Sequence, residues 1–278
     1  MYKIGAHQSV AGGHKNALIS IYEKGGNCLQ IFSSSPRVWN SATITDEQIT
    51  EFVELKQKLG IDPIYFHAMY LLNLADSGEA GKRSVQTIVK DLTLAEKMHI
   101  QGIVVHLGSF RENKSVETFN TLIENIQTVL HNTPSSTFFM IENAGSRKIG
   151  TQLDEIATII KAVHDPRLKV CLDTCHLHAA GYEFSTPEML ATFLEEVEQT
   201  IGISRVEMFH ANDSKGALGA YLDRHENIGK GTLGEAPFQL LLTHEKTKHI
   251  PFILEVPGLD DKGPDKANID VLKRLTGT

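Results

Sequence analysis

Within the segment VCLDTCHLHAAGYE (170–183), Cys171, Asp173, Cys175, His176 and His178 crowd into eight positions. Cysteine beside histidine suggests a zinc knuckle or a disulfide, but an aspartate among them suggests an ion held by imidazole and carboxylate. The cysteine spacing is Cys-x₃-Cys and no second Cys-x-x-Cys pair exists, so a structural zinc site lacks its partners. Cys171 falls inside an apolar run and reads as core, and Cys175 reads as packed beside the site. His178 is expected on a helix surface, with support of the site as the alternative. Asp173 and His176 remain as candidate ligands. The same residue types recur along the chain as His67, His106, Glu142, His210 and Glu255, with Asp223 and His225 separated by one residue. Nine imidazoles and carboxylates exceed what one tetrahedral zinc can use. They suit two or three ions sharing a bridging carboxylate, and ions about 3.5–4 Å apart are the usual apparatus for in-line attack at phosphorus. No H-E-x-x-H, nucleophile elbow or Walker motif offers a competing chemistry.

Such a set works only if the fold brings it to one place. Eight short runs of strand type recur: 3–7, 28–33, 63–68, 102–108, 137–143, 168–174, 205–211 and 251–257. Several are almost continuously apolar, as strands covered on both faces are. Between them lie helical patterns, three of which open at Thr45-Asp-Glu-Gln, at Ser115 (115–130) and at Ser185-Thr-Pro-Glu. Eight strand–helix units over this length predict an α/β single-domain (β/α)₈ TIM barrel spanning residues 1–278. Barrel enzymes carry their chemistry at the C-terminal ends of the strands. Strands three through eight end in His67, His106, Glu142, Asp173 with His176, His210 and Glu255, and Asp223 and His225 follow strand seven. One such residue at a strand end is ordinarily a helix cap or a structural histidine. Six consecutive strands placing one at the same end by accident is a different matter, and the pattern predicts a metal site.

The remaining features set the context. Three cysteines (28, 171 and 175) make no disulfide framework, and the amino-terminal residues lack the apolar core of a signal peptide, so a cytoplasmic location is expected. No stretch approaches the roughly 20 apolar residues of a membrane span. A net charge of −7 argues mildly against nonspecific nucleic-acid binding. Gly229-Lys-Gly231-Thr-Leu-Gly234 matches G-x-G-x-x-G, but it follows a loop, so a dinucleotide fingerprint fails its context. A phosphate-binding loop and a plain flexible turn both remain open for it.

Four segments, IGAHQSVAGG (4–13), HAMYLLNLA (67–75), VCLDTCHLHAAGYE and HANDSKGALGAYLDRHENIGKGTLG (210–234), together with EVPG (255–258), resemble the endonuclease IV family of zinc-dependent apurinic/apyrimidinic endonucleases. The resemblance runs over nearly the whole chain. It implies a (β/α)₈ barrel with three zinc ions: His67, His106 and Glu142 around one, Glu142 as a bridge with Asp173, His210 and Glu255 around the second, and His176, Asp223 and His225 around the third. Mn²⁺ or Fe²⁺ at one position would suit the same ligands. The implied reaction is hydrolysis of the phosphodiester 5′ to an abasic site in double-stranded DNA by a metal-bound hydroxide, leaving a 3′-hydroxyl and a 5′-deoxyribose phosphate. Glu142, Asp173 and Glu255 are the candidate catalytic carboxylates, and duplexes with 3′-blocked ends are further expected partners. Three dications would offset six of the seven net negative charges, right where DNA docks. Arg37, Tyr70 and Leu71 match the positions that the family inserts into the duplex at the lesion, and Lys215, Arg224 and Lys230 are candidate phosphate contacts. A monomer, associated with the nucleoid during repair, is the default expectation.

Two departures from the family pattern stand out. The segment after Glu142, Asn-Ala-Gly-Ser-Arg-Lys-Ile-Gly150, is about two residues short and poorer in glycine, and His106 precedes Leu-Gly where Pro-Gly is frequent. Neither removes a candidate ligand. A metal-dependent sugar isomerase or epimerase would use a similar Glu–Asp–His–Glu set, but it has no use for the Asp223-x-His225 pair. A noncatalytic lesion-binding protein would be expected to have lost a ligand, and none is missing.

Overall fold

A computed structural model describes residues 2–35, 39, 44–110 and 114–277. The barrel strands are β1 (Ile4–Gln8), β2 (Cys28–Phe32), β3 (Ile64–His67), β4 (Gly102–Val105), β5 (Phe138–Glu142), β6 (Leu168–Asp173), β7 (Val206–His210) and β10 (Phe252–Leu254). Each pairs in parallel with its neighbour in sequence, and the ring closes where Ile4, Gly5 and Ala6 meet Phe252, Ile253 and Leu254. The crossover after β7 carries a short antiparallel ribbon, β8 (Asp213–Ser214) with β9 (His225–Glu226). The connecting helices are α1 (His14–Glu23), α2 (Asp46–Leu59), α3 (Glu79–Lys97), α4 (Val116–His131), α5 (Leu153–Val163), α6 (Thr174–Ala180), α7 (Pro187–Thr200), α8 (Ala236–Thr243) and α9 (Lys266–Leu275). Among the described residues no helix is long and apolar enough to cross a membrane.

The expected helix starts hold for a local reason. Thr45 and Gln48 form a reciprocal capping box, as do Ser115 and Thr118, and Thr186 caps α7 with Pro187 at its first position. Each satisfies amide groups that the first helical turn leaves without carbonyl partners.

The pleat of the strands positions the chemistry. Cys28, Tyr65, Val104, Met140, Cys171, Met208 and Ile253 form an apolar cluster inside the barrel, separate from the larger one that joins the strands to the helices. Side chains two residues apart on a strand face the same way. Two residues beyond each member of that layer come Gln30, His67, His106, Glu142, Asp173, His210 and Glu255, and His7 takes the matching place on β1. All eight strands therefore deliver a polar side chain to one level at the C-terminal mouth, above an apolar floor. So many polar groups in one buried layer are tolerable only when they satisfy one another or an ion.

Candidate metal centre

Glu142 stands at the middle of this layer, fully buried. Its Oε2 lies 3.2 Å from His67 Nε2 and 3.1 Å from His106 Nε2, while its Oε1 lies 3.0 Å from His210 Nδ1. His210 Nδ1 is also 3.4 Å from Glu255 Oε2 and 3.7 Å from Asp173 Oδ2. A third convergence lies to one side: His176 Nε2 is 3.0 Å from Asp223 Oδ1 and 3.5 Å from His225 Nε2, which is 3.7 Å from the same Asp223 oxygen. Within each of these three sets the donor atoms all fall inside 4.8 Å of one another. Ligands about 2.1 Å from a tetrahedral zinc are themselves about 3.4 Å apart. The donor sets, imidazole and carboxylate at that spacing, fit zinc in chemistry and in size.

The ring orientations carry the same message. His67 Nδ1 donates to the Ala68 carbonyl at 2.7 Å, His176 Nδ1 to that of Asn143 at 2.9 Å, and His225 Nδ1 to that of Glu255 at 3.3 Å. In each case the outer nitrogen is tied to backbone and Nε2 is left facing inward, the usual support for a metal-binding histidine. His210 is held differently. Carboxylate oxygens only accept, so the Gln30 amide nitrogen, 2.6 Å from Glu255 Oε1, must donate there, and Gln30 Oε1 accepts from His210 Nε2 at 2.8 Å. That assigns the His210 proton to Nε2 and leaves Nδ1 for the carboxylates. The second amide proton of Gln30 faces His7 Nδ1 at 3.0 Å, so His7 carries its own proton on Nε2, a buried atom with no hydrogen-bond partner among the described residues.

Gln30 and His7 were not among the sequence candidates, nor were Asn143 and Asn212. The Asn143 side chain accepts from the Asp173 amide at 2.6 Å. Asn212 donates to Asp173 Oδ2 at 2.6 Å and accepts from the Glu255 amide at 2.7 Å. The asparagines sit one residue after Glu142 and two after His210, and all four residues could have been found by asking what holds the ligand strands in register.

The electrostatics show what this chain does with the site when protons alone balance it. Burial by itself would raise the Glu142 carboxyl, but His106 and His210 hold it well below the ordinary carboxylate range. Burial would lower His176, yet Asp173 and Asp223 lift it to about 10, and Asp223, opposed by its own burial, is drawn down to about 2 by His176. His106, half-buried at the rim of the layer and desolvated by its neighbours, falls to about 4. Positive charge is what four converging carboxylates demand, and zinc would displace these protons.

The third set depends on the β6 and β7 crossovers. The Asp173 carboxylate caps α6 by accepting from the His176 amide at 2.9 Å, which fixes His176 in the first helical turn. Asp223 and His225 enter on the β8–β9 ribbon. Gly145, in the segment after β5, packs against them: a Cβ there would lie 2.5 Å from the His176 ring and 3.2 Å from Asp223 Cβ. Cys175 is buried next to Asp173, with its Sγ within 4.8 Å of ligand atoms of Asp173 and His225, and burial raises its pKa.

Neither sequence reading of the glycine-rich loop survives. The Asp213 carboxylate accepts from the amides of Ser214, Gly229, Gly231 and Leu233 at 2.7–3.0 Å. A side chain of the protein occupies the amide nest that a phosphate would use, so the loop is neither an anion site nor a flexible turn. Gly231 is required because a Cβ would lie 2.4 Å from both Asp213 Oδ1 and the Ser214 carbonyl. Burial still lifts the Asp213 carboxyl above its usual range, so the amides offset its desolvation only in part. His178 is also not on a surface: it is buried and meets the Thr232 hydroxyl of this loop at 3.1 Å.

A pocket of about 370 Å³ opens over the ring, lined by His7, His67, His106, Asp223, His225 and Glu255. It adjoins a larger one of about 850 Å³ along the loops after β1 and β2. Tyr70 and Leu71, at the rim after β3, are 63% and 44% exposed, with the Tyr70 ring edge-on to Phe32 at 5.5 Å. Lys215, Arg224 and Lys230 are exposed, with Lys215 Nζ 3.7 Å from Glu226. Arg37 lies outside the described residues.

Residues 20–275 match the family described as a xylose isomerase-like TIM barrel. The chain is 37% identical to the probable endonuclease 4 of Natronomonas pharaonis over 262 residues, 92% of each chain. Endonuclease IV from Thermus thermophilus superposes with a TM-score of 0.87 at 31% identity over 99% of both chains. A D-tagatose 3-epimerase-like protein superposes at 0.75 with 20% identity, over 99% of this chain and 97% of its own, and shares the fold alone. With that length of shared sequence, and a barrel mouth built as described, the chain belongs to the endonuclease IV family.

Proposed function

We propose that the protein is a zinc-dependent DNA repair endonuclease that hydrolyses the phosphodiester 5′ to abasic sites in duplex DNA, leaving a 3′-hydroxyl and a 5′-deoxyribose phosphate. The observation that carries this reading is the third donor set, His176, Asp223 and His225, beside the two built around Glu142. One or two ions serve sugar isomerisation, and a third beside them suits phosphoryl chemistry.

His67, His106 and Glu142 would hold one zinc, Glu142, Asp173, His210 and Glu255 the second, and His176, Asp223 and His225 the third, with Mn²⁺ or Fe²⁺ accepted at one of the positions. Bound zinc would supply Lewis-acid polarisation of the phosphate and bring the pKa of water to about 7. The chain's own part is to place and support that chemistry. Glu142 directs one oxygen to each of two donor sets, so it spaces them. Gln30 and the backbone carbonyls of Ala68, Asn143 and Glu255 keep each imidazole proton on the outward nitrogen. Tyr70 and Leu71, exposed at the rim, would enter the gap left by a missing base, where unstacking costs least. Arg37, Arg224, Lys215 and Lys230 would track the strands, and the protein would work as a cytoplasmic monomer.

The deciding experiment is cleavage of a duplex carrying one tetrahydrofuran abasic analogue, which cannot undergo β-elimination. A cut 5′ to the analogue with a free 3′-hydroxyl is expected. Intact duplex after incubation with zinc-loaded protein, together with turnover of a ketose, would replace this reading with the sugar-isomerase one.

A further inference from the structure

Outside the donor ring, on its His176–Asp223 side, a cleft of about 590 Å³ opens between the loops that follow β4, β5 and β7. Phe110, Lys114, Arg147, Lys148 and Tyr221 are in its walls. The Arg147 guanidinium lies over the Tyr221 ring at 5.0 Å from its centre, and the Lys114 ammonium lies 5.5 Å from that of Phe110. An arginine laid on an aromatic face is held flat while its N–H edge stays available for a phosphate. Asp154 and Glu155 form part of the wall as well. Glu155 is engaged by Lys114 at 2.8 Å and by the Gly150 amide at 2.7 Å. Among the described residues neither Arg147 nor Lys148 has a carboxylate partner.

Exposed cations on a free loop are ordinarily solvated charges, but this segment is laced in place. The Ala144 amide donates to Gly150, that of Ile149 to Gly108, and the Thr151 hydroxyl to the Lys148 carbonyl. Tyr221 has φ of 53°, the left-handed region that a residue with a side chain enters only when its surroundings compel it. Its amide is fixed to the Ala179 carbonyl at 2.9 Å. The cleft is also tied to the third donor set twice over. Arg147 is two residues from Gly145, which touches His176, and Tyr221 is two residues from Asp223. Two residues of extended chain span about 7 Å at most, against about 3.4 Å of rise per nucleotide.

We infer that Arg147, Lys148 and Tyr221 form a subsite for one backbone phosphate of the DNA strand, one or two nucleotides from the scissile bond. The inference rests on the endonuclease reading and deepens it. It assigns a purpose to the loop after β5: its backbone hydrogen bonds hold two cations in fixed positions beside Tyr221.

The test pairs a change in the protein with a change in the DNA. Tetrahydrofuran duplexes carrying a single neutral methylphosphonate at each of the two flanking phosphates on either side are bound and cut by zinc-loaded wild type and by Arg147→Ala. On the all-phosphate duplex the variant should raise KM and Kd about tenfold with kcat unchanged, and flatten the salt dependence of binding by about one phosphate contact. At one methylphosphonate position the two proteins should become equal. Arg147→Lys, which keeps the charge and loses the flat fork, should fall between them. If the Arg147→Ala penalty is absent, or is the same on every duplex, the subsite is wrong. Failure of wild type to cut any duplex would sink the endonuclease reading alone, because anisotropy still reads the pairing between Arg147 and one phosphate. Equal binding of all duplexes by both proteins would sink the subsite as well.

Discussion

Replacing Gln30 with leucine would remove three hydrogen bonds while conserving most of the volume. Glu255 Oε1 would lose a donor at 2.6 Å, His210 Nε2 an acceptor at 2.8 Å, and His7 Nδ1 a donor at 3.0 Å. Glu255 and His7 retain 17% and 16% side-chain exposure and can turn to water, but His210 is wholly enclosed. One buried N–H left without a partner costs about 1–3 kcal/mol. The imidazole would also be free to hold its proton on Nδ1, the atom required for zinc. Loss of this kind of support usually weakens a metal site about 10–100-fold, which is about 1.4–2.7 kcal/mol and matches the single-bond figure. Competition with a chromophoric chelator should therefore show one zinc of Gln30→Leu released 10–100 times more readily, the other two unchanged, and cleavage largely restored at high zinc. Zinc affinity within twofold of wild type would refute the claim that Gln30 sets the His210 proton.

Gly145→Ala would force a methyl group to 2.5 Å from the His176 ring. Metal analysis should then find three zinc ions in wild type and two in the variant, with circular dichroism unchanged. Asp213→Asn, with its NH₂ in the place of Oδ2, faces both the Gly229 and the Gly231 amides, and each partly exposed N–H so orphaned should cost about 1 kcal/mol. Thermal melts should fall by a few degrees, and a melt equal to wild type would show that the loop does not need its pin. In chelator-treated protein, His176 raised from 6.5 to about 10 contributes stability that is full below pH 6.5 and disappears as pH climbs to 10. Asp223, depressed from 3.8 to about 2, contributes stability present above pH 3.8 and lost as pH falls through 2. The melting temperature of the metal-free protein should therefore decline between pH 6.5 and 10, and His176→Asn should flatten that decline.

The strands were readable because parallel strands buried on both faces show as continuous apolar runs, and each expected strand overlaps an observed one. The convergence of the candidate ligands was readable because imidazoles and carboxylates recurred at their ends. The reading stopped at strands three through eight, although strand one ends in His7 and strand two holds Gln30 within CLQIF. A glutamine in an otherwise apolar strand is a signal in its own right, and counting two residues outward from Cys28 leads to it. The glycine-rich loop was misread because its pattern reports a nest of amides and not what fills it. Asp213, sixteen residues before Gly229, fills it from another segment, and such a long-range pairing leaves no local trace. His178 was misplaced for a related reason: α6 is seven residues long and buried in all but Ala180, so no periodicity marks an outer face.

Two of the three donor sets come entirely from strand ends, while the third comes from α6 and the ribbon between β7 and α8. The barrel mouth is thus a foundation with a detachable fitting. A substitution among His67, His106, Glu142, His210 and Glu255 strikes the layer that all eight strands share. Insertions or replacements within 215–224, beyond the Asn212 side chain that ties Asp173 to Glu255, leave that layer alone and change only what hangs over it. A lineage, or an engineer, could exchange the ribbon and redirect the chemistry of the mouth without refolding anything beneath it.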